Sequence, residues 1–189
     1  QRAIKAELAA REAEADEAAT KALTVALSPH RDRCPEPIWQ VLFVAERTYQ
    51  RAKFTDVPAA AVAMLFSGAL ERGLYILFVS RLSTWLDSNR RRADFLEQAV
   101  RERRGSRVEY FDNFVAAFDP AIASHAPSLG EMARVFQRRH ESYLSVFAEF
   151  LREGFVLEDA QLDALATFVQ WAKEHLRDPV AHGHGLDIS

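Results

Sequence analysis

The sequence contains little cysteine, glycine or proline. Its 189 residues include one cysteine, Cys34, which excludes a disulfide within the chain and a zinc site built from several cysteines. Seven glycines and seven prolines leave few places for turns, while alanine, leucine, glutamate and arginine are plentiful, which favours long helices. No stretch of useful length alternates between apolar and polar residues as a half-buried strand does. The sequence therefore predicts an all-α fold.

The chain also lacks a strong net charge and a long uninterrupted apolar run. Its formal net charge is −3, so nucleic-acid binding would need a local positive patch rather than a positive field around the whole chain. No segment has the form of a signal peptide, and we expect no bilayer span because charges interrupt every apolar run. We therefore expect a soluble, cytoplasmic protein with no membrane partner.

A succession of helical patterns fills the sequence instead. Residues 2–27 are rich in alanine and charge and have few apolar positions, so this helix is predicted to project or to pair with a partner chain. We treat 1–30 as an N-terminal charged helix and 35–189 as a helical bundle domain. The segment from Pro58 to about Leu86 is apolar on most faces, which predicts the central helix of the bundle. Further helices are predicted at about 37–54, 90–104, 108–118, 129–153 and 159–176.

Finer signals predict helix ends and core positions. Ser128 and Glu131 are spaced as a capping box before the 129–153 helix. Gly68 and Gly73 are poor helix formers inside the central helix and indicate close approach of another helix, within the chain or across a subunit interface. On the last helix, Phe168 is predicted to face inward and Trp171 is assigned to the core.

Near the C-terminus, residues 177–183 read Arg-Asp-Pro-Val-Ala-His-Gly. Pro179 disfavours the α conformation at Asp178, so the last helix is predicted to end there, with Asp178 as the N-cap of a new turn. Such a break would aim Arg177 and His182 into one space. A guanidinium binds phosphate bidentately, and an imidazole transfers protons near neutral pH. Cleavage of RNA without a metal requires this pair of groups.

Three stretches of the chain carry a resemblance to a known family. Pro37-Ile38-Trp39, continuing through Leu42, Ala45-Glu46 and Tyr49, looks like an entry helix, and Ala69-Leu70-Glu71, with Leu74 and Leu77, looks like a central helix. Segment 177–183 is similar to a signature in which an arginine and a polar residue precede a histidine four to six positions after the arginine. Together they resemble the HEPN superfamily, small all-α domains of bacterial defence and RNA-processing systems. The likeness covers roughly residues 35–185.

The resemblance implies a HEPN-like helical bundle that acts as a metal-independent endoribonuclease of the toxin or antiviral type. It implies a homodimer with a composite active site, where two copies of the motif face one cleft. His182 would be the general base on a ribose 2′-OH, and Arg177 would offset charge on the phosphate. Asp178 departs from the family pattern, in which Asn is commoner, and it would suit the site if it paired with Arg177 or capped the turn. The products would be a 2′,3′-cyclic phosphate and a 5′-hydroxyl. No cofactor is implied, and an antitoxin or sensor protein is an expected partner.

Positive clusters elsewhere in the chain are candidate RNA contacts, although charge runs of this kind are more often solvated faces. The candidates are Arg90, Arg91, Arg92, Arg134, Arg138, Arg139 and His184. Glu71, on the central helix, is a candidate for orienting Arg177, and a partner charge beside a core is expected in any case.

Three other interpretations remain open. His182, His184 and Asp187 have the residue types of metal ligands, but a flexible chain end without a fourth ligand is a poor metal site, so no metal is expected. The domain is alternatively a HEPN-like binding module without catalysis, which docks onto a partner protein or nucleic acid. It is also readable as a structural bundle attached to a larger assembly through residues 2–27.

Overall fold

A computed structural model of the chain describes residues 2–28, 30–53, 55, 57–102, 109–119, 121, 126–155 and 157–178, with the backbone alone for 99–102 and 109–112. These residues form helices, and no β-strand occurs among them, so the all-α prediction is confirmed. The α-helices are α1 Arg2–Leu27, α2 Glu36–Ala52, α3 Ala59–Leu74, α4 Ser80–Ser88, α5 Arg92–Glu102, α6 Glu109–Ala116, α7 Leu129–Gln137, α8 Ser145–Gly154 and α9 Asp159–Ala172. Short 3-10 turns lie at Arg31–Arg33 and Ser142–Leu144, and π-helical segments at Tyr75–Val79 and Lys173–Arg177.

The chain divides into two compact units. The terminal unit consists of Gln1–Gly73 together with His175–Ser189, and the middle unit consists of Leu74–Glu174. The chain passes from one unit to the other at Gly73 and again at Glu174. Each of these passages lies in or beside one of the two π-helical segments.

In the terminal unit, α1 packs on α2 largely through small side chains. Ala15, Ala19 and Leu23 are the buried residues of α1. Arg47 on α2 forms an ion pair with Asp16, with 2.5 Å between Nε and Oδ1. The long N-terminal helix was predicted, and its first half is exposed because the apolar stripe there is thin.

The apolar helix at the centre of the sequence is continuous from Ala59 to Ser88. An 18-residue window within it has a mean hydropathy of 1.6, so this helix, alone among those described, is long and apolar enough to cross a membrane by length and composition. The expectation that no segment meets that criterion was wrong, although core helices of soluble proteins meet it too. The helix contains Gly68 and Gly73. A Cβ atom at Gly73 would lie 4.0 Å from Cγ2 of Ile38 on α2, whereas a Cβ atom at Gly68 would meet open space.

Phenylalanines form the core of the middle unit. Phe147 lies at its centre, with its ring centroid 5.7 Å from those of Phe114 and Phe136 and 6.2 Å from that of Phe150. Phe95 is fully buried and contacts other rings edge-on. Aromatic pairs in this geometry contribute about 0.5–1.5 kcal/mol each beyond the area that they bury.

The segment predicted as one helix over 129–153 is two helices, α7 and α8, separated by a turn. The predicted capping box at its start is confirmed, since Ser128 N–H donates to Glu131 and Glu131 N–H donates to the Ser128 hydroxyl. At the end of α7, Nη1 of Arg139 donates to the Phe136 carbonyl at 3.1 Å. In a continuing helix that carbonyl would accept from the backbone N–H of His140.

Candidate functional site

Arg177 is the last residue of the π-helical segment that continues α9. The sequence predicted that the helix stops at Asp178, but Asp178 is still helical. A π-helical turn is wider than an α-helical turn, and a proline ring collides with the carbonyl four residues before it in an ordinary α-helix. The π-helical segment Lys173–Arg177 ends two positions before Pro179 in the sequence.

The carboxylate that Arg177 contacts belongs to Glu71 of α3. Nε of Arg177 lies 3.2 Å from Oε1 of Glu71, and the side chains are 36% and 35% exposed. Both residues belong to the terminal unit, although about a hundred positions separate them in the sequence. The ion pair that the sequence suggested between the central helix and the motif arginine is therefore present.

The other residues of the predicted motif are only partly described. Asp178 is half-buried. His182 and His184, together with Asp187 of the alternative metal interpretation, lie outside the described residues. Among the residues that are described, no group of three or more histidine, cysteine, aspartate or glutamate side chains is arranged to bind a metal ion.

The guanidinium groups of Arg91 and Arg92 donate hydrogen bonds to other residues of the middle unit. Arg92 donates to Asp87 through Nε at 2.6 Å and through Nη2 at 2.8 Å, and also to the Phe118 carbonyl and the Ser83 hydroxyl. The hydrogen bond from Arg92 lowers the pKa of the Asp87 carboxyl below its ordinary value, and the same bond raises the pKa of Arg92. These two arginines connect helices, which weakens their candidacy as RNA contacts.

Arg91, the preceding residue, contacts two carboxylates. Its Nη2 lies 2.5 Å from Glu149 and its Nη1 lies 2.5 Å from Asp94. The hydrogen bond to Glu149 is the main cause of the raised pKa of Arg91. Arg90, next to it, is exposed and has a φ of 58°, a left-handed conformation that glycine adopts more readily.

Arg139 was predicted as an RNA contact, and its burial weakens that candidacy. Its side chain is 2% exposed, and Nη2 lies 2.8 Å from Asp163 and donates to the Asp159 carbonyl at 3.2 Å. Its Nη1 and Nη2 groups therefore have partners within the middle unit. Its neighbours Arg134 and Arg138 are exposed and remain candidates.

Two exposed aromatic residues on α9 were assigned to the interior from the sequence. Phe168 is 50% exposed and Trp171 is 46% exposed, and their rings stack at an interplanar angle of 18°. Helical periodicity shows that α9 is apolar on more than one face, but it does not show which face packs. The inward positions are occupied by Leu162, Ala166, Val169 and Ala172.

A hollow of about 380 Å³ in the middle unit was not predicted either. Hydroxyl groups line one side of it, contributed by Tyr75, Ser80, Ser83 and Thr84. None of the site residues predicted from the sequence lines this hollow. Four scattered serine, threonine and tyrosine residues form no sequence motif that would have revealed it.

Comparison with known proteins adds no family assignment. No family model matches the chain, and no curated protein and no solved structure is significantly similar to it.

Proposed function

We propose that this protein is a metal-independent endoribonuclease of the HEPN type, which acts either as a toxin or in antiviral defence. The observation that carries the proposal is the placement of Arg177. It stands at the end of the last described helix, half exposed, with its guanidinium on Glu71 of the most apolar helix. An arginine held in this way immediately before an Asp-Pro-Val-Ala-His sequence suits a phosphate-binding role.

In the proposed reaction, His182 removes the proton from a ribose 2′-OH, and the oxygen attacks the adjacent phosphorus in line with the departing 5′-oxygen. Arg177 offsets the charge that develops on the non-bridging oxygens. A histidine from a second copy protonates the leaving 5′-oxygen. The products are a 2′,3′-cyclic phosphate and a 5′-hydroxyl, and DNA is not cleaved because it lacks the attacking hydroxyl.

A homodimer is part of the proposal because the reaction needs an acid as well as a base. The terminal unit has exposed apolar side chains that are available for contacts between copies. They include Val44, which is 48% exposed, Tyr49 at 46% and Met64 at 45%.

The test is RNA cleavage by purified protein in the presence of EDTA. We expect the parent protein to produce fragments with cyclic phosphate ends, and His182→Ala and Arg177→Ala each to reduce the rate on the order of 10²-fold or more. His140→Ala is the matched control because His140 is an exposed histidine far from the motif in sequence. Cleavage that persists unchanged in His182→Ala would refute the proposal.

The alternative function is a binding module without catalysis, acting on a partner protein or nucleic acid. The ion pair between Arg177 and Glu71 favours the binding module, because a guanidinium whose charge is offset by a carboxylate attracts a phosphate less strongly. The two functions separate in one experiment. The binding module retains RNA or a partner protein without cutting, and its affinity does not change in His182→Ala.

A further inference from the structure

Glu71 occupies an unusual position for a carboxylate. Together with Arg72 it supplies all the charge of α3, a helix otherwise made of apolar, small and hydroxyl residues. It is half-buried, and its carboxylate approaches Arg177. A carboxylate placed in such a helix loses hydration, and contact with a cation compensates for that loss.

The atoms that meet show how Glu71 holds Arg177. The closest approach joins Oε1 of Glu71 to Nε of Arg177. Nε lies on the side of the guanidinium nearest the aliphatic chain, whereas the two Nη groups form its outer end. A carboxylate at Nε lies beside the guanidinium rather than across its outer end.

We propose that Glu71 is a positioning residue, which fixes Arg177 from the side so that the Nη1–Nη2 end faces the scissile phosphate. This inference rests on the proposed ribonuclease function and assigns a role to a residue outside the motif. A guanidinium that is already oriented stabilises charge that develops in the transition state without reorganising at that moment. A displacement of about 1 Å in such a group can cost on the order of 10²-fold in rate.

Glu71 either positions Arg177 or only masks its positive charge, and these two roles predict opposite changes in kcat when the charge of Glu71 is removed. If Glu71 positions Arg177, removing its charge lowers kcat, while KM stays the same or falls because one negative charge near the phosphate is gone. If Glu71 only masks Arg177, removing its charge frees the cation, and both binding and kcat improve. The direction of the kcat change therefore separates these roles.

The experiment compares Glu71→Gln with Glu149→Gln. Glu149 is a close control because its pair with Arg91 has side-chain exposures of 36% and 32%, against 36% and 35% for the Arg177–Glu71 pair. We expect kcat for RNA cleavage to fall about tenfold or more in Glu71→Gln with KM unchanged or lower. Glu149→Gln should alter kcat less than about twofold, and a similar loss of thermal stability in both variants would show that folding does not explain the difference.

Two further variants complete the design. Arg177→Lys lacks Nε, so adding Glu71→Gln to it should produce no further loss of kcat. Glu71→Asp keeps the charge at a shorter reach and should retain more activity than Glu71→Gln. If Glu71→Gln does not fold, Glu71→Asp is compared with Glu149→Asp, and a reduced kcat at unchanged KM is again the expected result.

The outcomes distinguish failure of this inference from failure of the proposed function. If the parent protein and His182→Ala cleave RNA equally, the ribonuclease proposal fails and the role of Glu71 fails with it. If His182→Ala is inactive but Glu71→Gln keeps its kcat or gains activity, the ribonuclease proposal stands and the positioning role is overturned.

Discussion

The two units of the chain differ in what fills their interiors. The largest fully buried side chains of the described residues, Phe95, Phe136, Phe147, Phe150, Leu82, Leu86, Leu129, Met132, Leu144, Val135 and Val146, all lie in the middle unit. The terminal unit buries mainly alanines, with Leu23, Ile38 and Val62 as its larger apolar residues. Because burial of apolar area drives folding, the middle unit should carry most of the stability. The candidate site thus belongs to the unit with the weaker core, and regions that serve function are often among the less stable ones.

The arginines of the two units also differ, in the partners that they contact. Arg92 and Arg139, in the middle unit, each donate to backbone carbonyls as well as to carboxylates, which ties helices to turns. Among the described residues, Arg177 of the terminal unit forms an ion pair with Glu71, and its side chain is 36% exposed. Arginines of the first kind are structural. An arginine of the second kind keeps donors for a ligand.

The largest effect should come from breaking the phenylalanine core. Phe147→Ala should lower the free energy of unfolding by about 3–5 kcal/mol, because it leaves a cavity among three rings. Leu23→Ala in the terminal unit should cost less, about 2 kcal/mol, since its neighbours on α1 are small. Urea unfolding followed by circular dichroism measures both. Equal losses would show that the two cores are equally important and would remove the contrast.

A smaller loss should follow when a buried arginine is replaced. Arg139→Met keeps the apolar stem but loses the hydrogen bonds to Phe136 and Asp159 and the ion pair with Asp163, so it should cost about 2 kcal/mol. The penalty is moderate because the carboxylates left behind are exposed to water. Arg138→Met, on the exposed neighbour, should stay within about 0.5 kcal/mol. If RNA affinity falls more in Arg139→Met than in Arg138→Met at matched stability, the structural assignment of Arg139 is wrong.

The smallest effect concerns pH. Asp87 has a lowered pKa in the folded chain, so its contribution to stability is fully present above its ordinary pKa of 3.8 and is lost as the pH falls through the lowered value. Asp87→Asn should therefore be less stable than the parent near neutral pH, and the difference should shrink below about pH 4. Thermal unfolding across this range measures it. In an Arg92→Gln background the same substitution should show almost no pH-dependent effect, and a full effect there would point to a different partner.

Much of the helical framework was predictable because its signals are local. The capping box of Ser128 and Glu131 and the long α1 follow from residues adjacent in sequence. The turn after α7 and the burial of Arg139 were not predicted, since a run of two arginines usually marks a solvated face. The acidic residues that Arg139 contacts, Asp159 and Asp163, lie twenty or more positions away. The outward orientation of Phe168 and Trp171 depends on which face of α9 packs, which periodicity alone does not determine.

For the candidate site, the sequence supplied the residue types and one contact. Glu71 was recognised as a possible partner of Arg177 because a lone carboxylate in an apolar helix needs a cation. The helical state of Asp178 was missed, because the conformational preference before proline is only a tendency that the surrounding helix can override. The arrangement of His182 relative to Arg177 stays a prediction.

The widened turn at Lys173–Arg177 makes this site sensitive to chain length as well as to residue identity. Hydrogen bonds there span five residues rather than four, so the turn accommodates an additional residue. Deleting one residue before Arg177 within this segment would restore ordinary winding without turning Arg177 around the helix axis, because the wide turn absorbs the change. One inserted residue has no wide turn left to absorb it, so it would turn Arg177 by about 100° and away from Glu71 with every side chain chemically intact.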